Sequence, residues 1–248
     1  MEAVTEQKPV FKPKFSGFGE FLGYLPLWKR KSRRQSGIVI LSRHGRSIFN
    51  EHKRIQPWTP EGDILSPSGR IQAQLLARIL RFIDLDAIYT SDFLRAEETA
   101  KIVLQHQKRK KIPNVHLDVA LRDFNFGRLA GLSFSPQKNE VAAQFPQNYD
   151  LLINQPDQFY APDGDRVSEF GSRATARVEN LAQENLGRVI FIATHELWVK
   201  SVLYWAWKRP FSELNLMKIR NASISIVEYK KSTHQMEVLV ANDISHLS

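Results

Sequence analysis

The chain has 248 residues, 42% of them hydrophobic and 25% charged, which is enough for one sizeable α/β domain with a full core. It has no cysteine, which excludes disulfides and thiolate metal sites, and no apolar stretch of membrane-spanning length. Its net charge of +9 directs attention to anionic partners, though a solvated basic face reads the same way.

Residues 1–37 read as an arm preceding the main domain. They carry eight Lys/Arg against three Glu, are interrupted by Pro and Gly, and show no sustained helical period. The start has no basic segment followed by an apolar run, so no signal peptide is expected, and Glu2, Glu6 and Glu20 speak against a transit peptide. Within the arm, "FSGFGEFLGYLPLWKRKSRR" sets aromatics and leucines beside a basic cluster. That pattern suits an interfacial segment on an anionic membrane. The preferred reading is an arm packed across the main domain, its apolar residues covering a core edge.

The folded domain is predicted over 38–248. "GIVILS" is a short apolar run fit for a buried strand, and "SPSGRIQAQLLARILRFI" (66–83) has helical spacing after a Ser/Pro start. "DAIYTS" reads as a strand, "DFLRAEETAKIVLQHQ" as a helix, and "VHLDVAL" as extended. The basic run "KRKK" (108–111) reads as a solvated loop. Residues 132–163 are irregular, with one short helix near 138–144. "RVSEFGSRATARVENLAQE" is a helix, "RVIFIAT" (188–194) a second buried strand and "ELWVKSVLYWAW" a buried helix. "ASISIVEY" and "MEVLVAN" close the chain as an antiparallel pair. Strands alternating with helices predict a three-layer α/β sandwich, its sheet mixed but mostly parallel, with helices on both faces.

Two histidines follow the two most β-like runs: His44 after "IVILSR" and His195 after "RVIFIAT". In open α/β sheets, ligands bind outside the carboxyl ends of the strands, so both belong at one rim. Arg95 follows a third strand and Asp123 a fourth candidate; Arg43 adjoins His44. Phosphoryl transfer uses this set. Fixed cations stabilise charge on the equatorial oxygens, and arginine binds phosphate bidentately. An imidazole kept neutral by nearby cations can attack phosphorus, and a protonated carboxylic acid can give its proton to the leaving oxygen. His52, His106, His116, His234 and His246 show no metal-ligand spacing.

With these residues in place, the chain resembles the histidine phosphatase superfamily, also called the phosphoglycerate mutase-like family, in its phosphatase branch. The resemblance covers residues 38 to about 228 and rests on motifs in order. "RHGRSIFN" matches Arg-His-Gly with Asn five residues beyond the Gly, and "RIQ" (54–56) matches the Arg-x-Gln after it. "LSPSGRIQA", "SDFLRAEETA", "LRDFNFGRLAGLS", "ATHE" and "NASISIVEY" match the later motifs. The resemblance implies that His44 becomes phosphohistidine, that Arg43, Arg95 and His195 form the phosphate pocket with Asn50 assisting, and that Asp123 is the general acid and then the base. Gln56, Arg46 and Glu196 join the candidate substrate-binding set. It implies no metal or organic cofactor.

Departures from the family pattern are specific. Asp123 stands where this branch usually has Glu, Glu196 where Gly is usual, and Arg46 where Glu or Gln is common. Pro57 replaces a common Gly, and the Gln56 to Gly69 connection is about two residues longer. Asp165 takes the Glu place of a loosely matched segment. The expected function is a phosphatase acting on a small phosphorylated molecule. The alternatives are a phosphomutase of the same fold and a catalytically weak binding module recruited through the arm. A cytoplasmic location is expected, with peripheral contact on an anionic membrane through residues 1–37 the further option. No nucleic-acid partner is expected, and the sequence leaves the oligomeric state open.

Overall fold

A computed structural model of the chain describes residues 12–31, 35–108 and 114–248. The predictions for residues 1–11 and 32–34 of the arm and for 109–111 of the "KRKK" run fall outside them. The elements in chain order are α1 (Phe18–Lys31), β1 (Ser36–Arg43), α2 (Ile48–Glu51), α3 (Pro67–Leu80), β2 (Ala87–Thr90), α4 (Leu94–Gln105), β3 (Val115–Leu117), β4 (Phe134–Ser135), β5 (Lys138–Asn139), α5 (Glu140–Gln144), α6 (Pro146–Asn154), α7 (Val167–Glu184), β6 (Val189–Thr194), α8 (Glu196–Ala206), β7 (Ile224–Lys230) and β8 (Gln235–Asp243).

Six strands form one sheet in the order β3-β2-β6-β1-β7-β8. β3, β2, β6 and β1 are parallel, while β7 runs antiparallel to β1 and β8 antiparallel to β7. Alternation along each strand divides the core. Val39, Leu41, Ile190 and Ile192 face α7 and α8, whereas Ile38, Ile40, Phe191 and Ala193 face α3, α4 and α1. Both faces of the central strands are therefore apolar, which is why "IVIL" and "VIFIA" carry no polar alternation. The predicted three-layer architecture is the observed one.

The described part of the N-terminal arm packs on the main domain, as the preferred reading has it, but it does so as a helix where the sequence shows no sustained helical period. Phe18–Lys31 is a 14-residue helix despite Pro26 inside it. Phe18, Phe21, Leu25 and Trp28 lie at i, i+3, i+7 and i+10 and are buried against β7, β8 and α3 side chains. Burying each such side chain is worth roughly 1.5–3 kcal/mol. Four of them outweigh an internal proline, which costs about 3 kcal/mol. The Phe18 N–H donates to Asp243 Oδ2 (2.6 Å), and Trp28 Nε1 donates to Ser36 Oγ (2.7 Å). The apolar face that would enter a membrane interface is thus taken up inside the protein. Trp28→Ala is expected to cost about 3–5 kcal/mol in urea unfolding; an unchanged midpoint would mean that the helix adds nothing to the core.

The 132–163 segment holds more order than the sequence suggests. The expected short helix is α5, but a β4–β5 hairpin precedes it and α6 follows directly, opened by Pro146 at a position where proline is tolerated. The stretch "VHLDVAL" is extended only over Val115–Leu117 and then tightens into a 3₁₀ turn at Val119–Leu121. No helix among the described residues is long and apolar enough to cross a membrane.

Candidate active site

The register of β1 against β6 sets the site. Arg43 pairs with Thr194, and the His44 N–H donates to Thr194 O (2.9 Å), so His44 and His195 leave adjacent strand ends together. Their rings stand edge to face with centroids 5.3 Å apart, and both are fully buried. His195 also occupies the N-cap position of α8 without a side-chain capping bond, and the N-terminal N–H groups of α8 favour an anion at that end.

The loop after His44 is shaped by a close approach to α3. A Cβ on Gly45 would lie 2.4 Å from Gly69 O, and one on Gly69 would lie 1.8 Å from Arg46 O. These contacts explain the glycine in "RHG" and the one in "SPSG". Gly69→Ala is expected to push the His44 loop aside, costing about 1–3 kcal/mol of stability and lowering kcat more than it raises KM. Wild-type kcat in a folded Gly69→Ala protein would show that the approach does not position His44.

His44 Nδ1 lies 2.7 Å from Gly45 O. A carbonyl only accepts, so Nδ1 carries the hydrogen and Nε2 keeps its lone pair. Nε2 is buried and has no partner among the described residues. Burial, then the Arg95 and Arg43 charges, hold the His44 pKa well below that of free imidazole, so the ring is neutral. His195 is depressed in the same way, by burial first and then by Arg95.

Arg95 is fully buried, with Nη2 donating to Asp123 Oδ2 (3.1 Å) and its guanidinium 4.9 Å from the Phe93 ring centre. Its Nε and Nη1, the Nε of Arg43 and both ring nitrogens of His195 are buried without hydrogen-bond partners among the described residues. Three of these atoms are guanidinium donors, and a neutral His195 adds one N–H donor and one acceptor; left unsatisfied, such groups lower stability. An anion with several acceptor oxygens resolves that cost, and phosphate fits the need.

Asp123 is 8% exposed, and its Oδ2 is 3.4 Å from His195 Nδ1. Burial raises its pKa, against the pull of Arg95 and Arg43, so its protonated form persists above the usual carboxyl range. The segment carrying it is pinned from three sides. Trp58 Nε1 donates to Asp123 O (2.8 Å), Thr194 Oγ1 to Leu121 O (2.8 Å) and Trp198 Nε1 to Ala120 O (3.1 Å).

The structure thus brings His44, Arg43, Arg95, Asp123 and His195 together. The outer candidates fare differently. Asn50 closes a capping box with Ser47, and its Oδ1 also accepts from Asn221 Nδ2 (3.1 Å). Gln56 Nε2 donates to Ser47 Oγ (2.6 Å) and Asp63 Oδ2 (2.7 Å), bracing the loop, while its side chain also acts on His44, opposing the fall in the His44 pKa, and lines the site. Arg46 is solvent-exposed, pairs with Glu51 (3.3 Å) and lines an outer groove. Glu196 pairs with Arg43 and with Lys200 (3.1 Å); burial would raise its pKa, but those cations outweigh it and keep the carboxyl ionised.

Sequence reasoning missed Trp58, Asp63, Thr99 and Asn221. Thr99 Oγ1 accepts from the Gly45 N–H (3.1 Å), and Asn221 Nδ2 donates to His44 O (3.0 Å). The "NASISIVEY" motif carried a signal for Asn221, and the Thr of "SDFLRAEETA" one for Thr99; nothing in the sequence marks Trp58 or Asp63 as a partner of these groups. Among the described residues, no group of three or more His, Cys, Asp or Glu side chains is placed to hold a metal ion.

Known proteins resemble this chain in sequence and fold. The sequence model of the histidine phosphatase superfamily (branch 1) matches residues 39–242. A probable phosphoglycerate mutase of Yersinia enterocolitica is 27% identical over 215 residues, covering 84% of this chain and 94% of that protein. Among solved structures, YhfR of Bacillus stearothermophilus superposes with a TM-score of 0.76 at 26% identity, covering 85% of this chain and 99% of its own. A phosphoserine phosphatase of Entamoeba histolytica, 21% identical, covers 85% of this chain and 99% of its own with a TM-score of 0.73, a likeness of fold.

Proposed function

The chain belongs to the histidine phosphatase superfamily, and on that footing we propose that it hydrolyses a phosphomonoester through a phosphohistidine on His44. The observation that carries this reading is the pairing of a neutral His44, its Nε2 lone pair unengaged, with buried arginine and histidine donors that lack partners.

In the proposed reaction, Nε2 of His44 attacks phosphorus while Arg43, Arg95 and His195 hold the non-bridging oxygens. Asp123 gives its proton to the leaving alcohol as the P–O bond breaks. Water then attacks the phosphohistidine, Asp123 takes its proton, and inorganic phosphate leaves with His44 restored. The arriving phosphate adds negative charge beside Asp123, which raises its pKa further and keeps it an acid for the first step.

Release of inorganic phosphate from a panel of phosphomonoesters tests the proposal. Vanadate or phosphate binding is a second check. Filling the donor set at a ligand concentration of about 100 times Kd should stabilise the fold by about 2.7 kcal/mol. A melting temperature insensitive to both anions would count against a built phosphate pocket.

The Yersinia relative, a probable phosphoglycerate mutase, favours a second reading, mutase chemistry. Movement of phosphate between positions of phosphoglycerate, with no phosphate released, would select it.

A further inference from the structure

Two cavities meet at the candidate site and share Arg43, Arg54 and Glu196. One, of 560 Å³, is an outer groove whose walls include Arg46, Lys53, Lys218 and Arg220 with Asn50 and Asn221. The other, of 220 Å³, is mainly apolar, with Phe126, Leu152, Phe159, Val167, Leu197 and Leu214 in its wall, and it also takes in polar groups such as Gln56, Lys200 and Asn215. Asp123 lines the inner cavity and not the groove.

We infer that the inner cavity is the leaving-group subsite and that the substrate is a phosphomonoester of a predominantly apolar alcohol, about the size of a substituted six-membered ring. The inference rests on the proposed role of Asp123. The acid that protonates the leaving oxygen must stand on the leaving-group side of phosphorus, and that side opens into the apolar cavity. An apolar cavity of about 150 Å³ suffices for benzene, so 220 Å³ takes a ring with a short linker. Its wall is firm: Phe124 packs on Phe126 and Phe159 with ring centroids 4.9 and 5.6 Å away. Polar groups in its lining are already engaged, Lys200 with Glu196, Arg54 with Gly131 O, Gln56 with Ser47 and Asp63, and Asn215 with Leu152 O and Ile153 O, so a polyhydroxylated or carboxylated leaving group would have to displace those partners to recover its lost hydration. The groove lining offers no counterpart to Asp123, since Glu196 there is held ionised by Arg43 and Lys200. Its cations draw the phosphate end of the substrate towards His44.

The test compares 2-phenylethyl phosphate with glycerol 3-phosphate and 3-phosphoglycerate, alkyl esters that need the same acid help. Wild-type kcat/KM should favour 2-phenylethyl phosphate by at least about tenfold. Leu152→Asp, which places a charge in the cavity wall, should bring that ratio towards unity. A preference for either polar ester, or an unchanged ratio in folded Leu152→Asp, overturns the inference. Calorimetric binding of the same esters to His44→Ala separates this from failure of the phosphatase reading. If the wild type turns over no ester, tighter binding of 2-phenylethyl phosphate still supports the subsite, and equal or weaker binding overturns it.

Discussion

Replacing His44 by Ala is expected to remove phosphomonoester turnover, lowering kcat by at least on the order of 10⁴-fold, because no second nucleophile stands at the centre of the donor set. His195 is the nearest other imidazole, but it lies beside Asp123 and is placed to donate. The fold should tolerate the change. The His44 ring contributes one short-range hydrogen bond through Nδ1 and buries an unpartnered Nε2, so its removal discards a polar burial cost along with a few contacts. Unfolding curves should therefore stay close to wild type while activity is lost. A folded His44→Ala protein that retains more than a trace of wild-type turnover would show that His44 is not the nucleophile.

Asp123→Asn is expected to slow turnover by roughly 10²–10⁴-fold for alkyl phosphates and far less for p-nitrophenyl phosphate, whose leaving group needs little protonation. The asparagine still accepts the Phe124 N–H and leaves the backbone hold of Trp58 intact, so the change is chiefly one of proton donation. The pH profile follows from the directions of the shifts. Asp123 must be protonated for the first step, so activity falls as pH rises through its raised pKa. His44 must be neutral, so activity falls on the acid side only below its depressed pKa. The alkaline limb should disappear in Asp123→Asn and the acid limb should remain. Equal slowing of both ester classes, or an unchanged alkaline limb, would remove Asp123 from the acid role.

How legible the site is in the sequence depends on where its parts come from. Buried central strands write themselves as continuous apolar runs, so the ends that release His44 and His195 are visible in "IVIL" and "VIFIA". Arg95 and Asp123 are visible because their segments carry specific motifs. The parts that hold those residues in position are long-range contacts with no local pattern. Trp58 reaches the backbone of Asp123 65 residues away, and Thr99 reaches Gly45 across 54. Glu196 shows the same limit: the sequence marks its unusual place, and the fold supplies its pairing with Arg43 and Lys200. The α1 helix was hidden for another reason. Its Gly and Pro lower local helical propensity, and burial of Phe18, Phe21, Leu25 and Trp28 against the sheet overrides them.

The Arg43–Glu196 pair has a functional consequence under the proposed mechanism. Arg43 also donates to Ile219 O (2.9 Å), so its guanidinium is fixed before phosphate arrives, with Nε left over for the substrate. A cation already oriented in this way loses little freedom on binding.

The central claim is a covalent phosphohistidine, and rapid acid-free quenching of enzyme mixed with a ³²P-labelled phosphomonoester measures it directly. The account predicts a burst of protein-bound label that survives alkali, is lost in acid, maps to the peptide carrying His44 and is absent from His44→Ala. Steady turnover with no protein-bound label, or label on any other residue, would contradict it.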